Sequence, residues 1–422
     1  MGFLIRTLKK IWVFIVEGGT FTVLFPKVWK KFWSTVDLIL SIIPRLILKY
    51  TTKIDDRKVF FYTQENAYTC NPKYICEELL KRNEKVHIVW RGTRTLTSIF
   101  PEKVKVVPFN KYDYFKEIYS AKVVITNSSL FLNVPVFLKK QQYLLETWHG
   151  SLGLKKWGKE DIKDSLVRIF AFEQTARMTD FLISNSKLEN GSMRSTYWPD
   201  TPILEYGHAR NDIFFDNYKD KRKELKQKIC AEYNIPEDTK IVMYAPTFRD
   251  WVKDLSYLNV DYSKVLKALT KRFKGNWVFF VRLHPSLKPR AKELGLAKNP
   301  QVINVTEYPD MQELAAITDI AITDYSSWIY DFILSRKPGF LFATDLDEYQ
   351  KKDRGFYYPI TETPFAICRT NDELIRSIET FNKKEYLEKL EAFLDDKGCF
   401  DDGKASERVA DKILELLKTP KK

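Results

Sequence analysis

Short apolar runs constrain the fold of this chain more than any other feature. Runs of four to nine residues rich in Val, Ile, Phe and Tyr alternate with longer stretches of helical periodicity. They occupy residues 59–63, 86–90, 104–107, 122–126, 142–146 and 181–185 and then, after a highly charged interval, residues 241–247, 277–285, 302–305, 320–324 and 339–343. Alternating strands and helices are typical of a parallel sheet covered on both faces, because each parallel crossover needs a helix. The pattern therefore predicts an α/β fold with two doubly wound, Rossmann-like domains facing a cleft.

The domain boundaries follow from this pattern. We expect an N-terminal segment at 1–53, a first domain at 54–214, a charged linker at 215–228 and a second domain at 229–422. The second domain ends in an amphipathic helix at 406–418. A chain of 422 residues can bury the cores of two domains of ordinary size. Ligands of doubly wound sheets bind at the carboxyl ends of the strands, so the candidate site residues are those that follow the strands.

The N-terminal segment carries much of the positive charge. The whole chain has a formal net charge of +14, and residues 1–53 hold nine Lys or Arg against two Asp or Glu, a net +7. The longest uncharged run in this segment, Gly18 to Pro26, is far shorter than the roughly 20 apolar residues of a membrane-spanning helix. Cations interleaved with Trp, Phe and Leu are typical of a helix that lies in the membrane interface.

We therefore predict that residues 1–50 attach the protein to an anionic membrane surface without crossing it. The alternatives are an amphipathic helix packed on the body of the protein, or a signal peptide, which Glu17 in the apolar stretch disfavours. We do not expect nucleic-acid binding, because the charge lies in an apolar segment instead of on a basic face with stacking aromatics. Five cysteines without close pairing indicate a reducing cytoplasm.

Two of the four histidines stand at predicted strand ends. His149, in "LLETWHGSLG", follows one apolar run and precedes two glycines, which places it on a tight turn. His284 follows another run and precedes Pro285, which ends that strand. Imidazole titrates near neutral pH, so both side chains are candidates for acid–base chemistry in one cleft. His87 lies within a run and is predicted to be structural. For His208, both a structural and a chemical role stay open.

The stretch "ITDYSSWIYDF" predicts a phosphate site. Asp324, Ser326 and Ser327 lie between a strand and a helix whose free N–H groups favour an anion. The alternative is that one of these side chains only caps the helix. In "YAPTFRD", Thr247 and Arg249 follow another strand and could hold an anionic group.

Residues 153–160 match a phosphate-binding loop except at its last position. That position requires a Ser or Thr hydroxyl for Mg²⁺, and Glu160 cannot supply it, so we do not expect a nucleoside triphosphatase. No carboxylate cluster predicts a divalent metal site with protein ligands. Any Mg²⁺ is expected to enter with the phosphates of a substrate.

Six motifs together resemble the CDP-glycerol glycerophosphotransferase family of bacterial teichoic acid and capsule synthesis. They are "ETWHGSLGLKKWG", "YGHARNDIFF", "YAPTFRD", "RLHP", "MQELAAITDIAITDYSSWIYDF" and "DDGKASERV", and the similarity runs from about residue 55 to residue 415. The resemblance implies a GT-B-type fold and a peripheral, monotopic position at the cytoplasmic face of the cell membrane. It also implies transfer of glycerol phosphate or ribitol phosphate from CDP-glycerol or CDP-ribitol to a polyprenyl-diphosphate-linked glycan, with release of CMP.

The resemblance further implies roles for particular residues. His149 would be the general base on the acceptor hydroxyl, with Trp148 and Gly150 on the acceptor side. His284, together with Arg282, would bind the donor diphosphate and neutralise the leaving CMP.

The remaining roles concern the donor phosphates. Ser326 and Ser327 would hold them, with Thr247 and Arg249 near the same group. Asp324 would orient one histidine or bind a polyol hydroxyl, and both roles stay open.

Two other classes of function fit the same architecture. A GT-B glycosyltransferase would use a nucleotide sugar. An inactive, membrane-bound glycan-binding scaffold would keep the fold, although it has no need of two histidines in a cleft. Glycerol or ribitol, primase or polymerase, teichoic acid or capsule, and the oligomeric state stay open at this point.

Overall fold

The computed structural model describes residues 43–421 except for 65, 83–84, 93–98, 110–111, 133–134, 162–163, 250, 253, 295 and 297–298. The predicted membrane-attachment segment, residues 1–50, therefore lies mostly outside the described residues. The described chain begins in a helix, α1, that ends at residue 51. Leu48 is buried against the first domain, and the Arg45 guanidinium lies 4.7 Å from the centre of the Phe115 ring. In the described ranges, no helix is both long and apolar enough to cross a bilayer.

The first domain contains a parallel sheet of seven strands in the order β3-β2-β1-β4-β5-β6-β7. Because helices cover both faces, the central strands contain continuous buried apolar runs instead of alternating, as in Val59–Tyr62 of β1. The six predicted strands are confirmed, and the seventh, with only two residues, was missed. The strands are β1 (Asp55–Tyr62), β2 (His87–Arg91), β3 (Lys105–Val107), β4 (Ala121–Thr126), β5 (Tyr143–Glu146), β6 (Phe181–Ile183) and β7 (Ile203–Leu204).

Four further helices belong to this domain. Local sequence fixes the start of two of them, because Ser165 and Ser186 accept backbone N–H groups of the first turn. The helices are α2 (Cys70–Lys81), α3 (Tyr112–Ser120), α4 (Leu166–Ala176) and α5 (Lys187–Thr196).

The second domain repeats the topology with six parallel strands in the order β10-β9-β8-β11-β12-β13. In both sheets, successive strands are added first on one side of the first strand and then on its other side. This is the doubly wound order, and ligands bind at the point where the order switches. The strands are β8 (Lys240–Tyr244), β9 (Trp277–Val281), β10 (Val302–Asn304), β11 (Ile320–Thr323), β12 (Gly339–Phe342) and β13 (Ala366–Cys368). The helices are α7 (Tyr262–Phe273), α8 (Met311–Ile317), α9 (Trp328–Phe332), α10 (Leu346–Lys352), α11 (Asn371–Glu379) and α12 (Lys383–Lys397).

Two helices connect the domains in a way that the sequence pattern did not indicate. The charged interval 215–228 is mostly helical, within α6 (Lys219–Glu232), whose Leu225 and Ile229 are buried. The helix α13 (Ala405–Lys418), which we assigned to the second domain, packs on α2, β1 and β4 of the first.

Buried polar contacts hold the domains together. Lys73 of α2 places its Nζ 2.6 Å from Oδ2 of Asp310, just before α8, and also contacts Glu313. Nearby, Gln312 donates to the Asn211 side chain at 2.9 Å. Because these partners come from different domains, the contacts fix the width of the cleft between them.

Candidate active site

The turn that follows β5 carries His149. Its Nδ1 lies 2.7 Å from the carbonyl oxygen of Asn127, at the end of the neighbouring strand β4. A carbonyl oxygen only accepts hydrogen bonds, so Nδ1 carries a proton. The neutral ring then has its lone pair on Nε2, which is the form required of a base.

Two side chains distant in sequence hold this turn in place. The Asn71 amide donates to the carbonyl oxygens of Thr147 and Trp148 at 2.9 and 3.1 Å. The buried guanidinium of Arg210 donates to the carbonyls of His149, at 2.9 Å, and of Gly150. Sequence reasoning missed both residues, although Arg210 lies in the "YGHARNDIFF" block.

Arg210 also links this turn to the second domain. Its Nε lies 3.0 Å from Oδ2 of Asp331 in α9, and both side chains are buried. The carbonyls of the turn that carries His149 and a helix of the other domain are thus bound to one guanidinium. We conclude that the position of His149 depends on how the two domains are docked.

The turn needs its particular residue types. Trp148 adopts a left-handed backbone with φ of 51°. A Cβ on Gly150 would lie 2.6 Å from Nε1 of Trp148, so only glycine fits beneath the indole. The indole packs on Trp157 at a tilt of 35°, with 4.1 Å between ring centres. These contacts make Trp148 and Gly150 part of the wall around His149.

His284 follows β9 on the opposite side of the cleft. Its ring stacks on Phe248 with 5.3 Å between centres, and its Nδ1 accepts the Ser286 N–H at 3.2 Å. Burial, and then the positive charge of Lys155, lower the pKa of His284 below its usual value. The neutral ring therefore carries its proton on Nε2 and can donate a hydrogen bond to an anion.

Both histidines line one cavity of about 650 Å³ between the domains, a volume typical of small-molecule sites. The structure thus brings His149 and His284 together, as the sequence predicted. The wall from the first domain is rich in aromatic side chains, and the wall from the second carries Phe248, His284, Ser286, Ser327, Asp353, Arg354 and Tyr357.

Lys155 is a cavity residue that sequence reasoning missed. Lys156 N–H donates to Gly355 O at 2.7 Å and Tyr357 N–H to Leu154 O at 2.8 Å, so a short antiparallel bridge joins the two domains here. This bridge places the half-buried Lys155 side chain in the wall of the cavity, where its charge acts on His284. Burial, and then Arg354, lower the pKa of Lys155 to about 8.

No ion pair or hydrogen bond to the Lys155 ammonium occurs within the described part of the chain. The two arginines that line the cavity differ in this respect, because Arg168 pairs with Asp164 and Arg354 with Asp161. The signal in the sequence was the near-match to a phosphate-binding loop, which contains this lysine.

Three predicted anion-binding residues lie elsewhere. The Arg249 guanidinium is buried in ion pairs with Asp324 and Asp345, the latter at 2.9 Å. Asp324 also accepts the Thr247 N–H at 2.8 Å, so its carboxylate is used within the domain. Asp324 therefore contacts neither histidine, and neither Thr247, Arg249 nor Asp324 lines the cavity. These predictions do not fit the structure, because buried charges here satisfy one another first.

Arg282 is also turned away from the cavity. Its guanidinium donates to the carbonyl oxygens of Tyr308 and Val305 at 2.6 and 3.2 Å. The predicted contact with a donor diphosphate is therefore not supported. Of the two serines, Ser327 lines the cavity and Ser326 does not.

The helix behind the serines is shorter than expected. It spans only Trp328–Phe332, and the Ser327 side chain forms no capping hydrogen bond. Within the described ranges, no three His, Cys, Asp or Glu side chains lie close enough together to hold a metal ion.

Comparisons with known proteins show which family the chain belongs to. The family described as CDP-glycerol:poly(glycerophosphate) glycerophosphotransferase matches residues 45–415. The teichoic acid poly(glycerol phosphate) polymerase of Staphylococcus epidermidis is 32% identical over 368 residues, which cover 83% of this chain and 49% of that protein. The teichoic acid glycerol-phosphate transferase of Staphylococcus aureus is 28% identical over 387 residues, covering 87% of this chain and 95% of that protein.

A solved structure shares the whole architecture. The wall teichoic acid polymerase TagF, as a histidine-to-asparagine variant soaked with CDPG, has 28% identity and a TM-score of 0.78, covering 92% of this chain and 98% of that chain. This chain thus spans about half the length of the S. epidermidis polymerase and nearly all of the S. aureus transferase. Since the family match covers most of the sequence, the chain belongs to the CDP-glycerol:poly(glycerophosphate) glycerophosphotransferase family.

Proposed function

We propose that this protein transfers glycerol phosphate or ribitol phosphate from a CDP-activated donor to a hydroxyl of a lipid-linked acceptor. The observation that carries the proposal is that two histidines with opposite proton assignments line one interdomain cavity. His149 has a lone pair for an incoming hydroxyl, and His284 has an N–H for an anion. The two relatives named above support this chemistry, since one is a teichoic acid poly(glycerol phosphate) polymerase and the other a teichoic acid glycerol-phosphate transferase.

The reaction joins the acceptor oxygen to the phosphorus that bears the polyol. As that bond forms, the bond from this phosphorus to the bridging oxygen breaks, and CMP leaves with the electron pair. The hydroxyl proton passes to Nε2 of His149, while His284 and the Lys155 ammonium stabilise the negative charge on the departing phosphate. Such transfers depend mainly on positioning and on charge stabilisation. Any Mg²⁺ would arrive with the donor diphosphate.

We also propose that the protein acts at the cytoplasmic face of a membrane, and exposed apolar side chains support its attachment to a membrane surface. Helix α4 contributes Arg168 and Phe172 to the cavity, yet its Leu166, Val167 and Phe170 are 84%, 78% and 57% exposed. Helix α1 likewise exposes apolar side chains. All the large apolar side chains that are exposed in the described chain lie between residues 43 and 170, that is, in α1 and the first domain. An apolar surface beside the cavity would bring its mouth to the lipid that carries the acceptor.

The test measures CMP release from CDP-glycerol and from CDP-ribitol, with a lipid-linked disaccharide acceptor and liposomes. We expect acceptor-dependent release with one donor, and at least ~10²-fold lower turnover in His149→Ala and in His284→Ala. His87→Ala is the matched control, because His87 is exposed and begins β2, at the end of the strand that is far from the cavity. Its Nδ1 lies 2.6 Å from Oδ2 of Asp55.

Three results would count against the proposal. Near wild-type activity in a folded His149→Ala or His284→Ala variant would remove that residue from the mechanism. Turnover of UDP-sugars, with neither CDP donor used, would indicate a glycosyltransferase. Binding of a CDP donor without any turnover would indicate a scaffold.

A further inference from the structure

Glu189 is a buried carboxylate on the cavity wall that the proposed mechanism leaves unused. It lies in the first turn of α5, lines the cavity, and its side chain is only 2% exposed. Its Oε2 accepts the Asn185 N–H at 2.9 Å and lies 2.9 Å from Nε2 of His208. Its other oxygen, Oε1, has no hydrogen-bond partner among the residues that the structure describes.

The surroundings hold this carboxylate rigidly. His208 is fully buried, and its backbone N–H donates to Asp401 at 2.7 Å. The other oxygen of Asp401 accepts from the amides of Asn185 and Asn211 at 2.8 and 3.0 Å. Asn185 thereby ties Asp401 to the loop that binds Glu189. This cluster accounts for the "YGHARNDIFF" and "DDGKASERV" motifs, which supply His208 and Asp401.

Oε1 of Glu189 faces the turn that carries His149. Oε1 of Glu189 lies 3.6 Å from the position that a Cβ on Gly150 would take. Gly150 follows His149 directly, and because it has no side chain, nothing from this residue separates the carboxylate from the turn. The carboxylate therefore lies next to the backbone of the turn that carries His149.

The chemistry of the oxygen limits its partner. A buried carboxylate oxygen without a donor is costly, and it can only accept a hydrogen bond. A phosphate would be repelled by its charge, whereas a neutral hydroxyl group would donate to it. The adjoining wall of Trp148, Trp157 and Tyr197 provides apolar surface for the carbon atoms of a polyol.

We propose that Glu189 binds the hydroxyl next to the attacking hydroxyl of the acceptor. His149 receives the proton of one hydroxyl, and Oε1 of Glu189 accepts a hydrogen bond from its neighbour. The cavity thus selects an acceptor that ends in a vicinal diol. This inference rests on the proposed transferase function and adds a specificity-determining residue to it.

The experiment compares two acceptors in wild-type protein and in Glu189→Gln, which keeps the side-chain volume. One acceptor ends in glycerol phosphate, and the other lacks only the hydroxyl next to the attacking one. A hydrogen bond to a charged group corresponds to about 10- to 100-fold in kcat/KM. We expect Glu189→Gln to lose that factor with the diol acceptor and nothing with the deoxy acceptor, while the KM for the CDP donor is unchanged.

A matched control removes another cavity carboxylate. Asp164 also lines the cavity, but it already pairs with Arg168 at 3.3 Å, so Asp164→Asn should retain the preference for the diol. Equal losses with both acceptors in Glu189→Gln would show a purely structural role and overturn the inference. Equal use of both acceptors by the wild type would overturn it while leaving the transferase intact. A wild type that releases no CMP at all would overturn both proposals.

Discussion

If Lys155 binds the donor diphosphate as proposed, donor binding should depend on pH in a way that can be measured. The pKa of Lys155 is lowered to about 8, first by burial and then by Arg354. At pH 7 about nine tenths of the molecules therefore carry the ammonium, and at pH 9 only about one tenth do. If the ammonium contacts the donor diphosphate, the affinity for CDP-glycerol is at its maximum well below pH 8. It then falls about tenfold between pH 7 and pH 9.

The assay is a calorimetric titration of CDP-glycerol into the protein between pH 7 and pH 9.5 at constant ionic strength. Lys155→Arg keeps a charge that does not titrate in this range, so its affinity should stay constant. Lys155→Met should bind weakly at every pH, at the level that the wild type reaches above pH 9. The two variants together separate the loss of charge from the loss of the side chain.

One other group in this region titrates in the same range, and it needs its own control. The pKa of Glu146, at the end of β5, is raised to about 8 by burial. If Lys155→Arg loses affinity with pH as steeply as the wild type, the reasoning about Lys155 is refuted. If Glu146→Gln then removes the pH dependence, the titrating group is that carboxyl.

Two further predictions concern stability. Because the folded protein keeps Glu146 protonated up to about pH 8 while its ordinary pKa is 4.5, this group should lower the free energy of unfolding by about 1.4 kcal/mol per unit as pH rises through this window. In Glu146→Gln the slope should shrink by that amount without vanishing, because burial also raises the pKa of Asp212 to about 7. Denaturant titrations at pH 5.5 and pH 8 measure it, and equal slopes in both proteins would contradict the assignment. Lys73→Met leaves Asp310 and Glu313 without their buried partner and should lower the free energy of unfolding by about 3–5 kcal/mol. An unchanged denaturation midpoint would show that water compensates these carboxylates.

The sequence predicts the backbone of this fold well, because apolar runs and strand–helix alternation report directly on a buried parallel sheet. All eleven predicted strands are present. The two that were missed, Ile203–Leu204 and Ala366–Cys368, are short strands at sheet edges, where little apolar surface is buried. The helix within 215–228 was missed because its buried face is narrow.

The site was predicted in part, for a related reason. A predicted strand end shows where the backbone of the following residues lies. For His149 and His284 this was enough to predict their position in the cleft. A strand end does not determine which way a neighbouring side chain turns. Arg282 and Arg249 turn towards acceptors within the second domain, since a buried guanidinium must satisfy its donors. The position of Lys155 in the cavity depends on how the two domains dock, and a local sequence pattern does not predict that docking.

The path of α13 has a consequence for how the protein is made. This helix covers α2, β1 and β4 of the first domain, but the ribosome synthesises it only after the entire second domain. In topological terms, the second domain is an insertion within the first. Part of the apolar surface of the sheet that carries His149 therefore stays uncovered until residues 405–418 have been translated. Apolar surface that is exposed in this way makes a partly folded chain prone to aggregation.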